Sequence, residues 1–307
     1  MIATMAAAAP TLPESAPAER GPLVRLALFA ALLAAVAGVA ALVGVAVGDR
    51  IEIGSTSAGS AAHGEEMAGS GGEDGASGLA IVSHGEYLAV FTSTQFSRGE
   101  TDRISFRVLD AEGAPVTDMD EHGGVRMHLI VVRRDFEGYQ HLHPTLGADG
   151  SWQTDLTLPE AGVYRAFADF ERDGEKVVLG TDLFAAGEFD PTPLPPPSSV
   201  GTVDGYDVGM LASAGAGVEG EVAFSIVRDG VPAELEPYLG ANGHLVALRE
   251  GDLAYLHVHP VEDEDGAPGQ VLFGATFPTP GAYRLFLQFQ EDGRVHTVPF
   301  TLEVGRE

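Results

Sequence analysis

Six of the ten histidines in this 307-residue chain fall in two blocks that share one internal spacing. The first block, M-H-L-I-V-V-R-R-D-F-E-G-Y-Q-H-L-H-P, holds His128, His141 and His143. The second, G-H-L-V-A-L-R-E-G-D-L-A-Y-L-H-V-H-P, holds His244, His257 and His259. In each, thirteen positions lead from the first histidine to the second and two more reach the third. Imidazole is the commonest metal-binding side chain, and three that converge form a ligand set. Two expectations follow: the chain carries a tandem duplication, and each copy holds a three-histidine site for a transition metal, with one ion shared between histidines of both blocks as the rival picture. An all-nitrogen donor set suits copper or zinc, and divalent copper has the higher intrinsic affinity, so copper is expected and zinc is the alternative. The chain has no cysteine, which removes thiolate zinc sites, Fe–S clusters, thiolate copper sites and disulfides.

The spacing also fixes a geometry. Glu250-Gly251-Asp252-Leu253 reads as a two-residue hairpin with Gly first. Centring the turn on Gly251-Asp252 pairs Val246 with His257 and His244 with His259, and places all three histidines on one face. The first block gives the same pairing about Asp135-Phe136. Opposed Cβ atoms lie about 4.5–5.5 Å apart, close enough for imidazoles to close on one ion. A slip of one residue would send His128 and His244 to the opposite face.

The elements that must carry these blocks are β-strands. Segments 87–92, 103–109, 128–133, 139–143, 152–158, 163–170 and 177–184 are short runs rich in Val, Ile, Phe and Tyr, with turn signals such as Glu112-Gly113 and Asp173-Gly174 between them. No helical period appears among them. The expected fold is all-β: two tandem immunoglobulin-like β-sandwich domains after one N-terminal transmembrane helix. Tyr164 and Tyr283, each following Gly-x, resemble a tyrosine corner and are given a structural role. The duplication extends past the histidines. Ile104-Ser105-Phe106 matches Val222-Ala223-Phe224, and Gly162-Val163-Tyr164-Arg165 matches Gly281-Ala282-Tyr283-Arg284, with three residues inserted in the second copy after its HxHP.

The expected organisation is a cytoplasmic N-terminus (1–22), a transmembrane anchor or uncleaved signal (23–48), a flexible tether (49–78), a first domain (79–188), a Pro-rich semi-rigid linker (189–199) and a second domain (200–307). Residues 26–47 contain no charge and are long enough, at about 1.5 Å per residue, to cross a core of about 30 Å. Arg20 and Arg25 before this span place the N-terminus in the cytoplasm and the domains outside. A cleaved signal peptide, with Ala41 and Ala46 near the cut, is the competing reading. A net charge of −28 argues against nucleic acid as a partner. The remaining partners expected are a metal ion, the membrane and a surface protein.

The other histidines are weaker candidates. His122 aligns with Tyr238, His296 with Val177, and His84 has no counterpart, so all three are expected at surfaces or edges. His63 and Met67 fall in the tether, and Glu262-Asp263-Glu264-Asp265 reads as a solvated loop. Met127, a soft donor, is replaced by Gly243 in the second copy and so cannot serve both. R-M-H-L-I-V-V-R-R-D-F-E-G-Y-Q-H-L-H-P and Y-L-G-A-N-G-H-L-V-A-L-R-E-G-D-L-A-Y-L-H-V-H-P resemble a family of actinobacterial secreted or membrane-anchored proteins whose modules accompany copper-handling and heavy-metal genes. The resemblance covers about residues 79–306 and implies copper at the six histidines. No Ser-His-Asp order, nucleotide-binding Gly loop or paired-carboxylate arrangement stands out, so the chain is not expected to be an enzyme. The expected function is extracytoplasmic metal binding, buffering or delivery; the alternative is a cell-surface interaction module whose histidines are structural.

Overall fold

A computed structural model describes residues 83–84, 86–261 and 267–306. The membrane span, the tether with His63 and Met67, and the Glu262–Asp265 run lie outside the described residues. The first repeat contains β1 (Ser83–His84), β2 (Tyr87–Phe91), β3 (Gln95–Phe96), β4 (Thr101–Leu109), β5 (His128–Arg133), β6 (Gln140–Leu142), β7 (Thr145–Leu146), β8 (Trp152–Thr157), β9 (Gly162–Arg172) and β10 (Glu175–Ala185). The second contains β11 (Val200–Val203), β12 (Tyr206–Ser213), β13 (Glu219–Arg228), β14 (Val231–Pro232), β15 (His244–Arg249), β16 (Tyr255–His257), β17 (His259–Pro260), β18 (Gln270–Thr276), β19 (Gly281–Glu291) and β20 (Arg294–Val304).

Each repeat is a sandwich of two sheets. In the first, β1-β2-β4-β8-β7 faces β3-β10-β9-β5-β6. In the second, β11-β12-β13-β18-β17 faces β16-β15-β19-β20, with β14 beside β13. Strand β3 runs parallel to β10 although its neighbours are antiparallel. The first strand thus divides between the two sheets, as immunoglobulin-like sandwiches do. Tyr164 donates its hydroxyl to the Glu160 carbonyl at 2.9 Å and Tyr283 to that of Thr279 at 2.8 Å, so both expected tyrosine corners form. Each core lies between its two sheets: Ile104, Phe106, Trp152 and Leu179 in the first, Phe224, Phe273, Phe289 and Phe300 in the second.

The hairpins that carry the histidines follow from strand alternation. Along β5, Leu129 and Val131 enter the first core while Ile130 and Val132 point the other way. Along β15, Leu245 and Ala247 enter the second core while Val246 and Leu248 point away. These outward residues do not meet solvent. They pack together with Phe136, Phe167, Leu253, Tyr255 and Phe286 into a third buried cluster between the domains. The outer face of one sheet is therefore laid on the outer face of its repeat, and the contacts are nearly two-fold. Tyr139 stacks on Phe286 with ring centroids 4.0 Å apart, and the matching Tyr255 rests on Phe167 at 5.2 Å.

The turns differ from the expected two-residue form while keeping its register. The first closes by Arg133 N–H to Glu137 O at 2.8 Å, the second by Arg249 N–H to Ala254 O at 3.1 Å. Phe136 and Leu253 take positive φ of 70° and 55°. Bulky residues rarely do so, but both bury their side chains in the seam, and that burial offsets the backbone strain. The Pro-rich linker is fastened rather than free-standing. Thr192 N–H donates to Asp135 at 2.8 Å and Leu194 packs on the seam cluster.

The seam is apolar at its centre, so a charge there cannot be desolvated without a partner. Val246→Lys is expected to part the two sandwiches while leaving each core intact. Small-angle scattering should show an increased radius of gyration, with far-UV dichroism unchanged.

Candidate metal centre

At one edge of the seam the outward faces change from apolar to imidazole. His128 begins β5 on the same face as Ile130, and β6 brings His141 opposite Ile130. His244 begins β15 at the equivalent place across the seam. The expected pairings of Ile130 with His141 and Val246 with His257 are both present. The pairing of His244 with His259 is not. After His257 the chain leaves its sheet, and His259 pairs instead with Gly274 of β18 in the other sheet. The first repeat makes the same crossover, since β6 ends at Leu142 and β7 starts at Thr145. The proline after each third histidine, Pro144 or Pro260, has no N–H with which to continue the ladder.

Among the described residues, the histidines of the first block gather together, and His244 of the second repeat joins them across the domain boundary. Nδ1 of His128 lies 2.8 Å from Nε2 of His141. The His244 ring is 4.9 Å from that of His141 and 5.5 Å from that of His128. One nitrogen from each of His128, His141 and His244 lies within 4.8 Å of the others. Nitrogens bound tetrahedrally at about 2.0–2.1 Å stand about 3.4 Å apart, so small ring movements, opening the His128–His141 pair and closing the others, bring these three onto one ion. His143 adjoins them, its ring 4.8 Å from that of His141 and 5.3 Å from that of His128. His257 and His259 are placed by backbone alone, and their side chains lie outside the described residues. The packing of the two sheets thus brings a histidine of the second repeat against those of the first, the arrangement that one shared ion would need. Sequence pairs strands within a hairpin but does not reveal which surface the hairpin's outer face will meet.

Neighbouring residues orient these rings. His141 donates Nδ1–H to the Gln288 carbonyl oxygen at 2.6 Å, and the Gln288 amide nitrogen is fixed by Thr297 at 3.1 Å. That tautomer leaves the lone pair of His141 on Nε2, facing His128, the state a metal requires. Asp169 accepts a hydrogen bond from the Tyr255 hydroxyl at 2.7 Å. Asp169 is the register partner of His128, and Gln288 that of His244. Sequence reasoning missed both residues. Their signal was available, as each is a polar residue two places after the seam phenylalanine, Phe167 or Phe286, within an otherwise apolar strand. Met127 is buried in the first core and so points away from the site. At the matching Gly243, an added Cβ would come within 2.9 Å of Val271.

Among the other histidines, His122 is exposed beside Glu171. His84 contributes only its backbone to the described residues. His296, expected at a surface, is buried: its ring packs on Phe289 and Tyr206, and Nδ1 lies 2.8 Å from Asp204. The matching Val177 is also buried, so the alignment itself pointed to a core position.

Burial, reinforced by the neighbouring His128, lowers the pKa of His141 to about 3. Burial also lowers that of His143. An unfolded histidine titrates near 6.5. Between about pH 6.5 and 3 the unfolded chain therefore takes up a proton at His141 that the folded chain refuses. Stability from this group is present in full above pH 6.5 and declines as pH falls through that window. Urea midpoints of the metal-free protein should fall from pH 7 to pH 4, and His141→Gln should flatten part of that slope. Equal slopes in the two proteins would contradict the buried neutral imidazole.

Comparison with known proteins places the chain by sequence. Solved structures of similar fold include the adhesin FdeC of Escherichia coli, with 17% identity, 71% of this chain and 64% of that one covered, and a TM-score of 0.25. The Yersinia pseudotuberculosis adhesin InvE has 14% identity, coverage of 71% and 59%, and a TM-score of 0.24. Salmonella alpha-2-macroglobulin, a Y1175G mutant, has 12% identity, coverage of 72% and 15%, and a TM-score of 0.26. The chain spans less than two thirds of the length of each. No curated protein matches it. One family model matches twice, over residues 83–185 and 201–306, which takes in every histidine of both blocks. The chain belongs to the family described as Domain of unknown function (DUF8832), with two copies of its module in tandem.

Proposed function

We propose that this protein binds one transition-metal ion at the boundary of its two domains, with copper as the favoured ion and zinc as the alternative. The observation that carries this reading is the convergence of His128, His141 and His244, contributed by both repeats, with ligand nitrogens within 4.8 Å of one another. Gln288 supports it by presenting the His141 lone pair. Nitrogen donors without thiolate or thioether suit a divalent ion. The proposed setting is outside the cytoplasmic membrane, with the domains carried on the N-terminal apolar segment, and the proposed role is metal buffering or delivery at the cell surface.

A metal-independent interaction module is the second reading. Its support is the fold, two immunoglobulin-like sandwiches held rigidly together, with exposed apolar residues such as Val90 and Val231 on outer strands.

Calorimetric titration of the purified full-length chain with Cu²⁺ and Zn²⁺ separates these readings. One ion per chain is expected. His128→Ala and His244→Ala should each abolish tight binding although they lie in different domains. Gln288→Leu should weaken it about 10–100-fold, the usual cost of losing a residue that orients a ligand. Two ions per chain, with only one lost in each single variant, would return the account to separate sites. A folded chain that takes up no ion would leave the interaction reading.

A further inference from the structure

The three converging imidazoles do not account for the fourth ring beside them. Alternation along the chain after β6 puts Leu142 against the first core and sends His141 and His143 to the other side. Among the described residues, Nε2 of His143 is buried and has no hydrogen-bond partner. A buried polar atom left in that state is unfavourable, and native structures contain few of them. Pro144, which is buried, ends the strand beside it and fixes the crossover at which the ring stands.

The ring orientations say what His143 adds. The rings of His128, His141 and His244 lie within 34° of one another. Rings so nearly parallel hold their in-plane lone pairs in similar planes, so a donor from outside those planes must come from a ring turned across them. The His143 ring is turned 84° from that of His128 and 70° from that of His141. Tyr238 stands beside the same two histidines, its ring 6.4 Å from that of His143 and 6.5 Å from that of His141. The turn carrying Tyr238 is pressed onto the matching turn of the first repeat, where a Cβ at Gly123 would come within 2.2 Å of the Leu239 backbone. The side on which His143 stands is therefore roofed by packed protein.

We infer that His143 is the fourth ligand of the shared site, which makes it a closed all-imidazole centre drawn three-to-one from the two repeats. The inference rests on the metal-binding reading and goes further. It assigns the ligand class as a divalent ion that accepts four neutral nitrogens. On a tetrahedral ion it also leaves no coordination position for water or substrate, so the centre holds or transfers an ion rather than activating a bound molecule.

Two measurements on the full-length chain test it. Electron paramagnetic resonance of the Cu²⁺-loaded protein should show four equatorial nitrogens. His143→Gln should still bind one ion per chain but shift to a three-nitrogen, one-oxygen spectrum, with larger g∥ and smaller A∥. X-ray absorption of the unsubstituted Zn²⁺-loaded chain should give four imidazoles and no oxygen ligand, a count that does not depend on how the variant folds. Three imidazoles plus oxygen in the unsubstituted protein, or a spectrum that His143→Gln leaves unchanged, would overturn the assignment while keeping the shared site. A parent chain that retains neither metal would overturn the site itself, and the fourth ligand with it.

Discussion

The packing of two sheet faces against each other is the constraint on which the rest of this molecule depends. In an isolated sandwich, β5 and β15 would each bury one face and wet the other. Here both faces are buried, the inner by each domain's core and the outer by the repeat opposite. Ile130, Val132, Val246 and Leu248 supply the apolar contact, and the tyrosine–phenylalanine pairs on either side fix its orientation. The same faces carry His128 and His244 at their ends. Once the apolar centre is closed, these imidazoles must meet. The hydrogen bonds that cross the boundary, His141 to Gln288 and Tyr255 to Asp169, then satisfy polar groups that the packing has taken out of water.

Much of this arrangement was legible in the chain. The hairpin register followed from where the turns had to lie, because antiparallel pairing about a fixed centre leaves one solution. The tyrosine corners followed from Gly-x-Tyr before a long apolar strand. What the hairpins could not convey was that the two blocks would meet, and the expected pairing of His244 with His259 failed because the chain crosses to the other sheet. A hairpin's pairing is local and readable, whereas the contact between two domains depends on surface shape. One sign of it was present: His-Leu-Ile-Val-Val-Arg and His-Leu-Val-Ala-Leu-Arg are continuous apolar runs, not alternating ones, and a strand apolar at every position is covered on both sides. The turns were misjudged because their strain is compensated by burial of Phe136 and Leu253 in that same contact, which no local rule contains.

An ion bound between domains does more than occupy a site. Binding to the closed arrangement alone stabilises that arrangement in proportion to the logarithm of ion concentration over its dissociation constant. The relative orientation of the two immunoglobulin-like modules is then linked to metal supply. The two readings of the protein, metal binder and surface interaction module, meet at this point. On the proposed reading, a module that holds its ion presents one defined outer surface, and one without it relies on the apolar seam and the hydrogen bonds that cross it.

The central claim is that a single ion is shared between the repeats. Anomalous diffraction from crystals of the copper- or zinc-loaded chain tests it most directly. The account predicts one strong anomalous peak per chain at the edge of the seam, within about 2.0–2.1 Å of nitrogens from His128, His141 and His244. Two peaks, one within each repeat, or a peak bound only by residues of one domain, would contradict it.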